Sequence, residues 1–200
     1  MNHADPATIK NIHEAALNEF MEKGYSGASL RSIVKAAGVT TGAFYGYYSS
    51  KEELFDVLVS EAADELRAIF SEAWQIPETD DKQEIIESYR LMELRRMTRL
   101  TKYSFDEPGI VRLLVCGSDG TKYSRLFHEL TELEIEHSEA LMDAIGKHPV
   151  SREFEHIIIS GMFKSFQELI EHNITRCSAG NAMKVLGEFH IAGWMRILDL

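Results

Sequence analysis

Breakers and cross-links are scarce in this chain of 200 residues, which has four prolines and two cysteines. Pro6, Pro77, Pro108 and Pro149 each fall where a helix should begin or end, so the intervening stretches are free to be helical. Cys116 and Cys177 are isolated, with no CxxC pair. That excludes a disulfide framework and predicts two small buried hydrophobes in a reducing compartment. No apolar run reaches the 18 or so residues that span a bilayer, and no hydrophobic stretch marks the N-terminus. The expectation is a cytoplasmic protein without a membrane segment. Strand alternation of useful length, internal repeats and low-complexity tracts are missing too. The pattern predicts an all-α fold of about nine helices.

One local absence says more. The chain carries a net charge of −11, yet residues 23–51 contain Lys23, Arg31, Lys35 and Lys51 and no acid. Phosphate attracts cations and repels carboxylates, so this stretch reads as a nucleic-acid footprint confined to one face. From Ser29 to Lys51, SLRSIVKAAGVTTGAFYGYYSSK breaks into two short helices around a tight turn. Leu30, Ile33 and Val34 form a small apolar face. Gly38 permits a positive φ at the first helix end, and Thr40 caps a second helix over 41–48. Ser50-x-x-Glu53 is a capping box that opens a long helix at Lys51. Two helices around a glycine-containing turn form a helix-turn-helix, whose second helix enters a DNA major groove.

Residues 12–60 resemble the N-terminal domain of the TetR family of transcriptional regulators. The matching positions are Ala15-Ala16, Phe20, Gly24-Tyr25, Ile33, Ala37-Gly38-Val39, Gly42, Phe44-Tyr45 and Lys51-Glu52-x-Leu54. The resemblance implies that Arg31, Thr41, Gly42 and Tyr45 meet bases, and that Ser29, Thr40, Tyr47 and Lys51 meet phosphates. Thr41 departs from the family, where a basic residue is frequent. Gly46 costs the short helix about 1 kcal/mol. Phe44 and Tyr48 are assigned to the core beneath.

Before this unit, Asp5-Pro6 opens a helix with Ile9, Ile12, Ala16 and Phe20 on one side, closed by Gly24. After it, the apolar stripe Phe55, Leu58, Ala62, Leu66, Ile69 and Ala73 carries the next helix to Ile76. Residues 1–50 are therefore expected to form the DNA-binding domain and 51–200 a helical effector-binding and dimerisation domain. Further helices are expected over 81–103, 108–116, 121–147, 151–173 and 180–198.

In 81–103, a helical wheel gathers Ile85, Tyr89, Met92, Leu100 and Tyr103, with Glu93 and Arg96 intruding on the stripe. In 121–147, Tyr123, Phe127, Leu130, Leu141 and Ile145 gather, with Glu134 and His137 intruding. Buried charges must be paired or solvated, so these helices predict either an effector pocket or a structural ion network. The pocket set is Tyr89, Met92, Glu93, Arg96, Tyr103, Tyr123, Phe127, Glu134 and His137. The last two helices predict a dimer seam. One face carries Phe154, Ile158, Gly161, Met162, Ser165 and Leu169. The other carries Met183, Leu186, Gly187, His190, Trp194 and Ile197. Packing within one chain is the alternative for both faces.

A metal is suggested by Glu134 with His137, and by His128-x3-Glu132-x3-Glu136. Without an HExxH or a dense histidine cluster, that acidic ladder reads as a solvated face, and neither metal nor cofactor is expected. No nucleophile elbow or phosphate-cradling loop points to an enzyme. The expectation is a homodimeric regulator, with repressor the favoured sign, that binds a palindromic operator and releases it to a small-molecule effector. The alternatives are a helical small-molecule binder or enzyme that has lost DNA binding, and a constitutive DNA binder without an effector.

Overall fold

The computed structural model describes residues 5–172 and 174–199. Among the described residues there are nine α-helices and no strand, as the sequence pattern predicts. They are α1 (Pro6–Gly27), α2 (Leu30–Ala36), α3 (Thr41–Phe44), α4 (Lys51–Ser71), α5 (Lys82–Asp106), α6 (Pro108–Cys116), α7 (Leu126–Ile145), α8 (Arg152–Glu171) and α9 (Arg176–Ile197). A 3₁₀ turn spans Lys122–Arg125. None of these helices is long and apolar enough to cross a membrane.

The chain divides into two compact units, Met1–Asp64 with Pro108–Ser124, and Glu65–Glu107 with Arg125–Leu200. The division expected at residue 50 thus lies within α4, and 108–124 belongs with the N-terminal helices.

In the first unit, Asp5 accepts the Ala7 and Thr8 amides at 3.2 Å and starts α1, with Pro6 as the first helical residue. Gly24, at φ 66°, breaks the helix before its last turn. The core joins Ile12, Phe20, Ile33, Phe44, Leu54 and Phe55, all essentially sealed from water. Phe20 meets Phe55 edge-on at 5.1 Å, a favoured aromatic arrangement. The 117–120 turn, legible in the sequence only as a helix break, docks on the end of α1. Gly117 O accepts the Tyr25 amide at 2.8 Å, and Asp119 O accepts the Ser26 hydroxyl at 2.7 Å. A side chain at Gly117 would collide with Leu113, whose Cδ1 lies 2.7 Å from the added Cβ.

In the second unit, Ile85, Ile86, Leu141, Met142, Ile145 and Leu198 make one core cluster. Phe70 packs against Phe163 at 5.0 Å. Lysines close two helix C-termini: Lys82 donates to Ile145 O, and Lys147 donates to Leu198 O.

Four expectations change. Helix α4 ends at Ser71 rather than Ile76, because the Glu72 carbonyl is taken by Arg96 and Pro77 disfavours helix at the residue before it. Helix α9 starts at Arg176 and runs through 178–180, because the Thr175 hydroxyl caps it by accepting the Ser178 amide. Residues 122–125 form a 3₁₀ turn rather than the start of α7, since Thr121 Oγ1 accepts the Tyr123 amide and tightens the chain there. Cys116 and Cys177 are exposed rather than buried, sitting at the last position of α6 and in the first turn of α9.

Candidate functional site

Two places collect the functional side chains, one in each unit. In the first, α2 is capped by Ser29 and ends in a Schellman motif. There the Gly38 amide donates to Lys35 O at 3.2 Å and the Val39 amide to Val34 O at 3.0 Å, with Gly38 at φ 70°. Thr40 Oγ1 then accepts the Ala43 amide at 3.1 Å and opens α3. Helix α3 is only four residues long and is followed by turns, in keeping with Gly46. The capping box at α4 is partly as expected. Ser50 Oγ accepts the Glu53 amide, but Glu53 reaches the Ser49 amide rather than that of Ser50.

Ser29, Arg31, Thr40, Thr41, Gly42 and Tyr45 are exposed, with Tyr45 at 55% despite its ring. Tyr47 is half-buried, while Phe44 and Tyr48 lie in the core as expected, their rings tilted with centroids 5.6 Å apart and the Tyr48 hydroxyl on His13. Lys51 departs from its expected role. Its ammonium donates to Tyr25 O at 2.7 Å and Ala28 O at 2.9 Å and lies over the Tyr25 ring, and burial lowers its pKa. It therefore clasps the end of α1 to the start of α4 instead of standing free for a phosphate. Lys23 is likewise engaged, bound to Glu19, which also accepts the Ser29 amide at 3.0 Å. Of the four cations in the acid-free stretch, Arg31 and Lys35 are exposed.

The second place is a buried polar cluster. Arg96, at 1% exposure, donates through Nη1 to Glu93 at 2.9 Å and Glu134 at 3.2 Å. Through Nη2 it donates to Glu72 O at 2.6 Å and His137 Nε2 at 3.2 Å. Accepting from a guanidinium requires a neutral imidazole with its proton on Nδ1. Burial, with Arg96 adding to it, lowers the His137 pKa to about 4. Burial raises both carboxyls. Glu93 is raised furthest, by burial first and then by the Glu134 charge. Tyr89 closes the group with its hydroxyl 3.4 Å from Glu134.

Glu93, Glu134 and Tyr89 line a cavity of about 100 Å³ completed by His190 and Trp194 of α9 and by apolar side chains. Of the expected pocket set, these three line the cavity, while Arg96 bonds to its two carboxylates and His137 bonds to Arg96. Met92 is buried on the opposite side, in a groove shared with Arg96. Phe127 packs on Phe163 and Phe166 instead. Tyr103 stands roughly 21 Å along α5 from Tyr89, too far to share so small a space. Tyr123 belongs to the first unit, hydrogen-bonded to Asp56, because the 3₁₀ turn breaks the helical phase that grouped it.

Sequence reasoning missed the α9 contribution. Gly187, His190 and Trp194, expected at a dimer seam, line this cavity, as does Met162 of α8. Met183 is buried within the chain, and Ile158, Ser165, Leu169 and Leu186 are half-buried. Phe154, 37% exposed, meets Trp194 edge-on at 6.4 Å. The strongly exposed apolar residues of α8 and α9 are others: Ile157 at 65%, Val185 at 63% and Phe189 at 72%, with Gly161 and Ile197 also outward. A 100° wheel shows that two faces exist; it does not show which one the rest of the chain covers.

The first unit, with its braced and capped α2–turn–α3, defines a helix-turn-helix protein. Residues 12–58 match the family profile described as "Bacterial regulatory proteins, tetR family". The similarity to that family lies in this N-terminal domain. Over 60 residues it is 38% identical to the uncharacterized HTH-type transcriptional regulator YdgC of Bacillus subtilis, a match covering 30% of this chain and 31% of that relative. The chain thus spans only about a third of that relative's length. Among solved structures, a TetR-family member from Streptomyces coelicolor superimposes with a TM-score of 0.57 at 20% identity, over 94% of this chain and 89% of the other. The regulator CifR, solved with 26-base-pair double-strand operator DNA, gives 0.57 at 17% identity, over 94% and 98%. At these identities the likeness extends to the fold.

Proposed function

We propose that this protein is a transcriptional regulator that binds a palindromic operator as a homodimer and is released by a small molecule held in the second unit. The observation that carries the reading is the exposed face of α2, its turn and α3. Arg31, Lys35, Thr40, Thr41, Gly42 and Tyr45 stand there in solvent without an intervening carboxylate. Arg31, Thr41, Gly42 and Tyr45 meet base edges, while Ser29, Thr40 and Tyr47 meet phosphates. Gly42 lets backbone approach the duplex closely. Lys51 serves this surface indirectly, by holding α1 to α4.

Release works through α4, whose residues belong to both units. Within the second unit its end is tied to α5 by the Arg96 bond to Glu72 O and by Arg99, which pairs with Glu65 and Glu72. An effector that re-pairs Glu93 or Glu134 changes what Arg96 holds, and so shifts α4 and frees the operator. The cavity favours a mostly apolar molecule with a cationic or hydrogen-bond-donating group toward the two carboxylates. At about 100 Å³ it must open to admit one, and Met97, Met142, Met162 and Met195 in its wall repack readily.

The test is selection of bound sequences from random DNA, followed by affinity against salt. A palindromic consensus is expected, with binding that weakens steeply with salt and falls at least tenfold in Tyr45→Ala. Recovery of no consensus, with Tyr45→Ala binding as wild type, refutes the reading. One observation favours a reading without effector: Arg96 is already bonded to four groups, as a purely structural hub would be. Ligand-induced thermal stabilisation of the wild type across a chemically varied panel separates the two.

A further inference from the structure

The outer sides of α7 and α8 bring together three side chains that neither the reader surface nor the cavity uses. His128 and Glu132 stand one turn apart on α7, where i and i+4 share a face, and His156 faces them from α8. One ligand atom from each lies within 4.8 Å of the other two. Glu132 divides its oxygens. Oε2 accepts from Arg152 Nη2 at 3.0 Å, and Oε1 lies 3.2 Å from His156 Nδ1. Arg152 is itself anchored by Glu139 at 2.6 Å. The two imidazoles sit edge to face, with centroids 5.7 Å apart.

We propose that His128, Glu132 and His156 bind one divalent transition-metal ion of the zinc type, clamping α7 to α8. Two imidazole nitrogens and one carboxylate oxygen are a donor set suited to zinc, cobalt or nickel, whereas magnesium and calcium favour all-oxygen shells. Metal bonds of about 2.0–2.1 Å in a tetrahedron place donor atoms roughly 3.3 Å apart. Oε1 and Nδ1 already have that spacing. His128, exposed at the end of the row, closes the third distance by a side-chain rotation. Arg152 occupies only Oε2, so it orients the carboxylate and leaves Oε1 for the ion, as outer-shell partners of metal ligands do.

The ion would take the place between His156 Nδ1 and Glu132 Oε1 that the hydrogen bond now occupies. Three protein ligands leave a fourth position open. Both histidines line a shallow groove of about 430 Å³ together with Thr131, Ser160 and Lys164, so water or an anionic ligand can reach that position. The sequence alone shows His128 and Glu132 in an acidic ladder with Glu136. The third donor arrives from another helix, 24 residues beyond Glu132.

The experiment titrates zinc into the full-length, chelator-treated protein against a chromophoric competitor, with cobalt absorption reporting the ligand set. Melting curves are recorded with and without zinc. One zinc per chain is expected, with a raised melting temperature. The double substitution His128→Ala/His156→Ala, and separately Glu132→Gln, should each lose at least tenfold in affinity and lose the thermal shift. Arg152→Ala should weaken binding less than either. If His128→Ala/His156→Ala does not fold, Glu132→Gln, which keeps shape and volume, decides the question alone. Equal zinc stoichiometry, affinity and thermal shift in wild type and variants would overturn the proposal, since the ion then binds elsewhere.

Discussion

Arg96 offers five N–H donors to one buried spot, and four groups from three parts of the second unit accept them. Only its Nε lacks a partner. Replacing it with alanine leaves the Glu93–Glu134 pair buried without a counter-charge and frees the Glu72 carbonyl at the end of α4. Arg96→Ala is therefore expected to lose about 3–5 kcal/mol at neutral pH, read as a lower urea midpoint. Without the guanidinium, the folded-state pKa of Glu134 rises further above its unfolded value. The variant then gains stability by protonation as pH falls, and its deficit should shrink toward the ordinary carboxyl range. A deficit that stays constant from pH 7 to 5 contradicts the assignment. Lys51 makes a second case. Lys51→Ala orphans the Tyr25 and Ala28 carbonyls and should cost about 1–3 kcal/mol while leaving the salt dependence of DNA binding unchanged. Arg31→Ala should do the reverse, flattening the slope by about one unit per protomer at wild-type stability.

At the scale of elements, the reader depends on short helices that packing and caps must hold in place, since α2 has seven residues and α3 four. Gly38 carries the reversal between them. An alanine there has room around its Cβ but must sit at φ 70°, so Gly38→Ala should destabilise by roughly 1–2 kcal/mol with an unchanged denaturant slope. A neutral result would mean that the turn relaxes to another geometry. Caps were partly legible. Asp5 and Thr40 cap where the sequence indicates, while the Ser29 and Ser151 caps appear only in the structure. Interruptions were less legible. The sequence around 178–180 looks like a break but continues as helix under Thr175, whereas 72–76 looks helical and is not. At 72–76 a bond from the distant Arg96 decides, and at 178–180 the local Thr175 cap does.

For the whole molecule, the outward apolar residues of α8 and α9 matter most. Phe189 at 72% exposure, Ile157 at 65% and Val185 at 63% are costly in water and mark where a second copy is proposed to pack. Phe189→Glu is expected to shift the protein from dimer to monomer in sedimentation while keeping its helix content. Because a dimer engages two half-sites about 34–36 Å apart, operator affinity should fall by at least two orders of magnitude. An undisturbed dimer in this variant moves the interface to another face. His190 and Trp194 would then remain cavity residues, since their contacts lie within one chain.

Local chemistry in the sequence by itself determined the helical class, the position of the helix-turn-helix, its Thr40 cap and the Gly38 turn. It also marked Glu93, Arg96, Glu134 and His137 as polar intruders on apolar stripes. Each depends on neighbours within about one or two helical turns, where periodicity and capping rules act directly. Only the tertiary structure decided which atoms those groups meet, that Lys51 bonds to backbone, that 108–124 joins the first unit, and that α9 turns His190 and Trp194 inward. It also brought His156 beside Glu132. These outcomes depend on contacts between residues far apart in the chain, whose pairing is set by the packing of whole helix faces.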